Sequence, residues 1–195
     1  MAAYVLIHGG SVDGSVWKDV GALLRAGGHR VFAPTLSDER TSGLSAHVRE
    51  VCATIEEAGT DGIVLAGHSY GGMVITGAAD RAASRIGRMI YIDAALPEPG
   101  QSLFDVLRAA GCVPDSFKGL DPYPPYVEKL FFDPAVLSKI PKLYIRCTRS
   151  VFAAVGTHAA ATVLRRQEQD NWSYAELAAD HSPMISMPGK LVELF

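Results

Sequence analysis

The sequence predicts an α/β fold in three layers, α/β/α, with helices on both faces of a mostly parallel six-stranded sheet. Three observations predict it. Short apolar runs alternate with longer amphipathic stretches along the chain, the pattern of successive βα units. The runs at 3–8 (AYVLIH), 62–67 (GIVLAG) and 88–93 (RMIYID) are mostly aliphatic, as strands covered on both faces are. Glycine pairs, Gly9-Gly10 and Gly71-Gly72, follow the first two of these runs and allow tight turns there.

In chain order, the strand at 3–8 is followed by a helix at 15–27 and a strand at 29–33 (HRVFA). A helix at 43–58 carries Val48, Val51, Cys52 and Ile55 at helical spacing. The strand at 62–67 leads into a small-residue helix at 71–85, and the strand at 88–93 follows. Strands at 142–147 (KLYIRC) and 171–176 (NWSYAE) bracket a helix at 152–168, and a helix at 188–195 ends the chain. The sixth strand is polar and aromatic, which suits a sheet edge. Residues 97–141 break the rhythm: they hold eight of the eleven prolines, with DPYPPY at 121–126. Leu103, Phe104, Leu107, Phe117, Tyr123, Tyr126, Leu130, Phe131 and Phe132 make this segment too apolar for free disorder. It reads as a small cap over a pocket, because long ordered insertions are often lids. The chain is thus expected to be one domain of 195 residues, with a core of about 1–96 and 142–195 and a cap of about 97–141.

Composition excludes several functions. A net charge of -3 with charged residues at 20% gives no nucleic-acid footprint. No apolar run is long enough to span a bilayer, and the N-terminus MAAYVLIHGG reads as a first strand rather than a signal peptide. Cys52, Cys112 and Cys147 fit neither a disulfide framework nor a zinc site, so no metal is expected and a reducing cytoplasm is the simplest compartment.

The chemistry centres on LAGHSYGGM at 65–73. Gly67-His68-Ser69-Tyr70-Gly71 is a G-x-S-x-G turn between an apolar strand and a helix, the context in which such a serine is lifted clear of the sheet. The alternative, a plain glycine-rich strand-to-helix turn, explains the glycines but not this context. A serine hydroxyl needs a histidine to take its proton. The turn also puts the Tyr70 N–H at a helix N-terminus, where negative charge is favoured. The IHGGS run at 7–11 ends the first strand, and its Gly10 N–H is the expected second donor of an oxyanion hole.

Six histidines compete for the role of base. His8 and His68 lie inside the two motifs, and His8 reads as structural. His29 opens a strand at the wrong end of the sheet, and His47 and His158 lie on predicted helices. His181, in AADHSPM, follows the last strand, at the sheet edge where open α/β sheets place their sites.

The stretches YVLIHGGSVDGSVWKDVGALLRAGGHRVFAPTLS, GHSYGGMVI, IYIDAALPEPGQS and AADHSPMISMPGKLVEL resemble the α/β-hydrolase superfamily, in its compact esterase/hydroxynitrile-lyase-like branch. The resemblance runs over nearly the whole chain. It implies the α/β-hydrolase fold with a small cap, a Ser–His–acid triad of Ser69 and His181, oxyanion donors at Gly10 and Tyr70, hydrolysis of an ester-like bond, and no cofactor. Gly9 and Ser182 stand where hydroxynitrile lyases have threonine and lysine, which speaks against cyanohydrin cleavage. The family usually carries its acid after the strand read here at 142–147. That loop is CTRSVFAAVG, with no carboxylate between Pro141 and Glu168 and Ser150 at the usual place. Asp93, at the end of the previous strand, is the expected substitute, since some lipases of the superfamily place their acid there. Asp180, Asp133 and an acid-free dyad remain alternatives.

The resemblance and the apolar cap together imply a small or medium hydrophobic ester, lactone or thioester as the partner molecule, with no nucleic acid and no membrane. The sequence admits a homodimer. Ser11, Trp17, Phe152 and Met184 are pocket candidates by loop position, with core packing the favoured reading of Trp17, Phe152 and Met184. Two other functions fit the same residues: a lyase or cyclase that uses the Ser–His pair for proton transfer, and a non-enzymatic small-molecule receptor.

Overall fold

A computed structural model describes residues 1–114, 117 and 120–195. Six strands, β1 (Ala3–Ile7), β2 (Arg30–Phe32), β3 (Ile63–His68), β4 (Ile86–Ile92), β5 (Lys142–Cys147) and β6 (Trp172–Leu177), form one sheet in the order β2-β1-β3-β4-β5-β6. Every pairing is parallel. All six fall where the apolar runs predict them. The sheet edges follow from composition: β2 is short and half-exposed, and β6 shows its polar residues to solvent.

Side chains alternate across the sheet, so each strand feeds two cores. Val5, Ile7, Leu65, Met89, Tyr91 and Tyr144 point to one face. There they meet the apolar stripes of α2 (Leu44–Glu57), α3 (Gly71–Arg81) and α7 (Ala153–Arg165), through residues such as Val48, Ile75 and Val163. Tyr4, Leu6, Ala66, Ile90, Ile92 and Ile145 point to the other face, covered by Val20 and Leu24 of α1 (Lys18–Ala26) and Leu191 of α9 (Pro188–Val192). The result is the expected three layers. The helices are shorter than their sequence patterns suggest. The one read at 71–85 ends at Arg81 and gives way to a separate turn at Ala83–Arg85.

The insertion is ordered where it is described. Gln101 and Leu130 pair antiparallel at its base. Its helices are α4 (Leu103–Ala109), α5 (Pro124–Val127) and α6 (Pro134–Leu137). Ser102 and Asp105 close a reciprocal cap on α4, which satisfies two otherwise orphaned N–H groups. The buried Leu103, Phe104, Leu107 and Tyr126 join the α2/α3 core, so hydrophobic burial docks the insertion on that face.

Strand order places the site. The chain leaves β1 to one side for β2, then returns to the other side for β3. Loops after β1 and β3 therefore part at a switch point, the crevice where open α/β sheets bind ligands.

Candidate active site

Ser69 follows β3 and has φ 54, in the left-handed region. A side chain on Gly67 would stand 2.6 Å from Gly71 O, and one on Gly71 would stand 2.8 Å from His8 O, so both positions must lack a Cβ. The strained turn is held from three sides. Ser69 N–H donates to Ile92 O at 3.2 Å, and Gly72 N–H and Ala95 N–H both donate to Ser69 O at 3.0 Å. Asp93 (φ 43) and Ser11 (φ 59) follow β4 and β1 in the same unusual conformation. Such residues cost roughly 1–3 kcal/mol each and cluster at functional sites.

His181 comes from the loop after β6 and reaches back across the sheet. Its Nε2 lies 3.0 Å from Ser69 Oγ. Its Nδ1 lies 2.6 Å from Asp93 Oδ2. The Asp93 side chain is almost wholly buried, and its other oxygen accepts from Cys147 N–H at 3.2 Å. Ser150 Oγ also faces Nδ1, at 3.4 Å, and accepts from Phe152 N–H at 3.0 Å. The other acid candidates are elsewhere: Asp180 accepts from Ser182 N–H and Ser186 Oγ, and Asp133 caps α6.

His68 has a use that the motif does not reveal. Its Nε2 donates to the main-chain carbonyl of His181 at 2.6 Å. Burial, helped by nearby His181, lowers its pKa to about 3, so it stays neutral at pH 7. His8 is structural: Nδ1 donates to Gly9 O at 2.7 Å and Nε2 accepts from Leu36 N–H at 3.0 Å. His47 is buried, and its Nδ1 meets the Tyr70 hydroxyl at 2.9 Å.

A cavity of about 210 Å³ opens over Ser69. Gly10, Ser11, Tyr70, Phe152 and His181 line it, with Leu103, Leu107 and Leu120 from the insertion. Among the described residues, no hydrogen bond engages the N–H of Gly10 or of Tyr70. Ser11 and Phe152 are among the residues that line the cavity, with the Phe152 ring 4.4 Å from that of His181. Trp17 and Met184 are not. Both are buried in the core on the α1/α9 face of the sheet, with Leu6, Val20 and Leu191, because their short helical turns, Gly14–Trp17 and α8 (Pro183–Ser186), point these large apolar groups inward. Position in a loop sequence alone did not reveal which face they would take.

The sequence matches the model of the alpha/beta hydrolase family over residues 4–139, more than half of the chain. The chain belongs to the alpha/beta hydrolase family. The chain is 45% identical over 119 residues to a carbendazim hydrolyzing esterase of Nocardioides sp. (strain SG-4G), covering 56% of the chain and 49% of that relative. It is 32% identical over 111 residues to a polyneuridine aldehyde esterase of Rauvolfia serpentina, covering 51% of the chain and 41% of the relative. The matches thus span about half or less of these curated relatives. The same fold is seen in an extracellular alpha/beta-hydrolase from a Paenibacillus species, at TM-score 0.78 and 23% identity, covering 100% of this chain and 97% of that one. A solved polyneuridine aldehyde esterase gives TM-score 0.79 at 18% identity, with the same coverage.

Proposed function

We propose that this hydrolase is a serine esterase that cleaves small-to-medium hydrophobic esters, lactones or thioesters through an acyl-enzyme. One observation carries the reading: Asp93, His181 and Ser69 form a continuous relay of 2.6 and 3.0 Å that ends in a cavity. The esterase names of its relatives support it.

In this mechanism His181 Nε2 takes the Ser69 proton as Oγ attacks the carbonyl carbon. The C=O electron pair moves onto oxygen, and the free N–H groups of Gly10 and Tyr70 receive that oxyanion. Collapse breaks the bond to the leaving oxygen or sulfur, which takes the proton back from His181. Water, deprotonated by His181, then attacks the acyl-enzyme and regenerates Ser69. Asp93 holds the imidazole so that Nε2 faces Ser69, and stabilises the imidazolium. The cavity of about 210 Å³ is lined by Leu103, Leu107, Leu120, Phe152 and Val155, which suits an apolar acyl group.

The test is intact-protein mass after a small fluorophosphonate, with hydrolysis of short-chain aryl esters in parallel. A single adduct is expected on the wild type and none on Ser69→Ala or His181→Ala. Ser69→Ala should lower kcat by about 10⁶-fold. A wild type that takes no adduct and cleaves no ester overturns the reading.

A further inference from the structure

The proline-rich run at 121–126 contributes Tyr126, whose side chain is fully buried. Its ring meets that of Tyr70 edge-on, with centroids 5.2 Å apart. Its hydroxyl occupies the space where a Cβ on Gly10 would stand. One side chain of the insertion therefore packs on both Gly10 and Tyr70, which line the Ser69 cavity. The same hydroxyl donates to Glu39 Oε2. That carboxylate also accepts from Ser11 N–H at 3.0 Å and from the Ser11 hydroxyl at 3.2 Å. Ser11 adjoins Gly10 and holds a left-handed φ of 59, which a residue with a Cβ adopts only when its surroundings impose it. Neither Glu39 nor Tyr126 is among the residues lining the Ser69 cavity.

We propose that Glu39 and Tyr126 are positioning residues for the oxyanion hole. Glu39 pins Ser11 and so aims the Gly10 N–H. Tyr126 ties that loop, and Tyr70, to the insertion. The proposal rests on the serine-esterase reading above. Its physical basis is the short range over which oxyanion donors act: they must lie about 2.7–3.1 Å from the developing charge. A misplacement of about 1 Å can cost ~10²-fold. The insertion then does more than roof the pocket, because the contacts that dock it also set the geometry of the hole.

The experiment compares Glu39→Gln and Tyr126→Phe with wild type on a carboxylic ester and on its thiono analogue, in which sulfur replaces the carbonyl oxygen. Sulfur is larger and a weaker acceptor, so a well-set hole favours the oxygen ester. Gln retains one acceptor oxygen for the Ser11 N–H, and Phe retains the ring packing, so both variants should fold. We expect kcat to fall about 10- to 100-fold with KM within about twofold, and the preference for oxygen over sulfur to shrink. Glu98→Gln, which breaks the half-exposed Glu98–Arg166 pair near the insertion's base, should keep wild-type values. Folded variants with unchanged kcat and unchanged oxygen-to-sulfur preference, against an active wild type, overturn this proposal alone. A wild type inert to esters and fluorophosphonate overturns the esterase reading and this proposal with it.

Discussion

Two neighbouring strands end beside the same imidazole nitrogen, and they end differently. β4 runs into Asp93, whose carboxylate lies 2.6 Å from His181 Nδ1. β5 runs into a loop with no carboxylate and offers the Ser150 hydroxyl at 3.4 Å. A neutral imidazole that accepts from Ser69 at Nε2 carries one proton on Nδ1, and the shorter contact takes it. The Ser150 oxygen already accepts from Phe152 N–H. The Asp93 carboxylate serves two neighbours at once, with Oδ2 on His181 and Oδ1 on Cys147 N–H. The lesson is that an acid is defined by reach and by how its oxygens are held, not by which strand carries it. Parallel strand ends here lie close enough that either could present one.

The largest break in this contrast should come from Asp93→Asn. An amide cannot stabilise the imidazolium and can present its NH₂ to Nδ1, which favours the wrong tautomer. We expect kcat to fall by about 10⁴-fold, read by steady-state ester hydrolysis. A fall of only a few-fold would mean that Ser150, or no acid, suffices.

The double variant Asp93→Asn/Ser150→Asp sharpens the comparison. A carboxylate at 150 starts from a buried backbone position whose side chain already points at Nδ1. It should recover about 10- to 100-fold of the activity lost in Asp93→Asn, since restoring orientation is worth that much in rate. No recovery in a folded protein would show that the β5 position cannot substitute. Ser150→Ala alone is expected to matter least for turnover, by no more than about threefold, because its distant hydroxyl is a minor partner of Nδ1.

A last, smaller effect concerns the residue that holds His181 between the two strand ends. Burial depresses the His68 pKa to about 3 from an ordinary 6.5. The unfolded chain therefore takes up a proton below pH 6.5 that the folded protein refuses until about pH 3. Stability contributed by the neutral, buried form is present above 6.5 and drains away as pH falls through that window. The slope approaches about 1.4 kcal/mol per pH unit. In His68→Gln, urea melts between pH 6 and pH 4.5 should show a shallower loss than wild type. Equal slopes would remove His68 from this account.

How much was legible depended on distance along the chain. Ser69 was readable because its elbow is a local steric device: five residues between a strand and a helix, with glycines where a Cβ would collide. The strands were readable locally too, five as short, mostly aliphatic runs and the sixth as a polar and aromatic edge. His181 was readable from its place after the last strand. Asp93 could be picked only by resemblance to relatives, because its link to His181 spans 88 residues. Trp17 and Met184 were misplaced because a large apolar group near a strand end can turn to either face of a sheet. Glu39 gave no signal, since a lone glutamate in a polar loop looks like any solvated charge.

The sequence by itself determined the layered α/β fold, the G-x-S-x-G turn at Ser69 and the glycine-bearing loop after β1, because each follows from periodicity or sterics within a few residues. Only the tertiary structure decided the rest. Strand order and register brought Asp93 rather than Ser150 into close contact with His181. The docking of the insertion laid Tyr126 on Gly10 and joined it to Glu39, 87 residues away in the chain. Those contacts form between groups that gain nothing from one another until the sheet has aligned the ends of its strands.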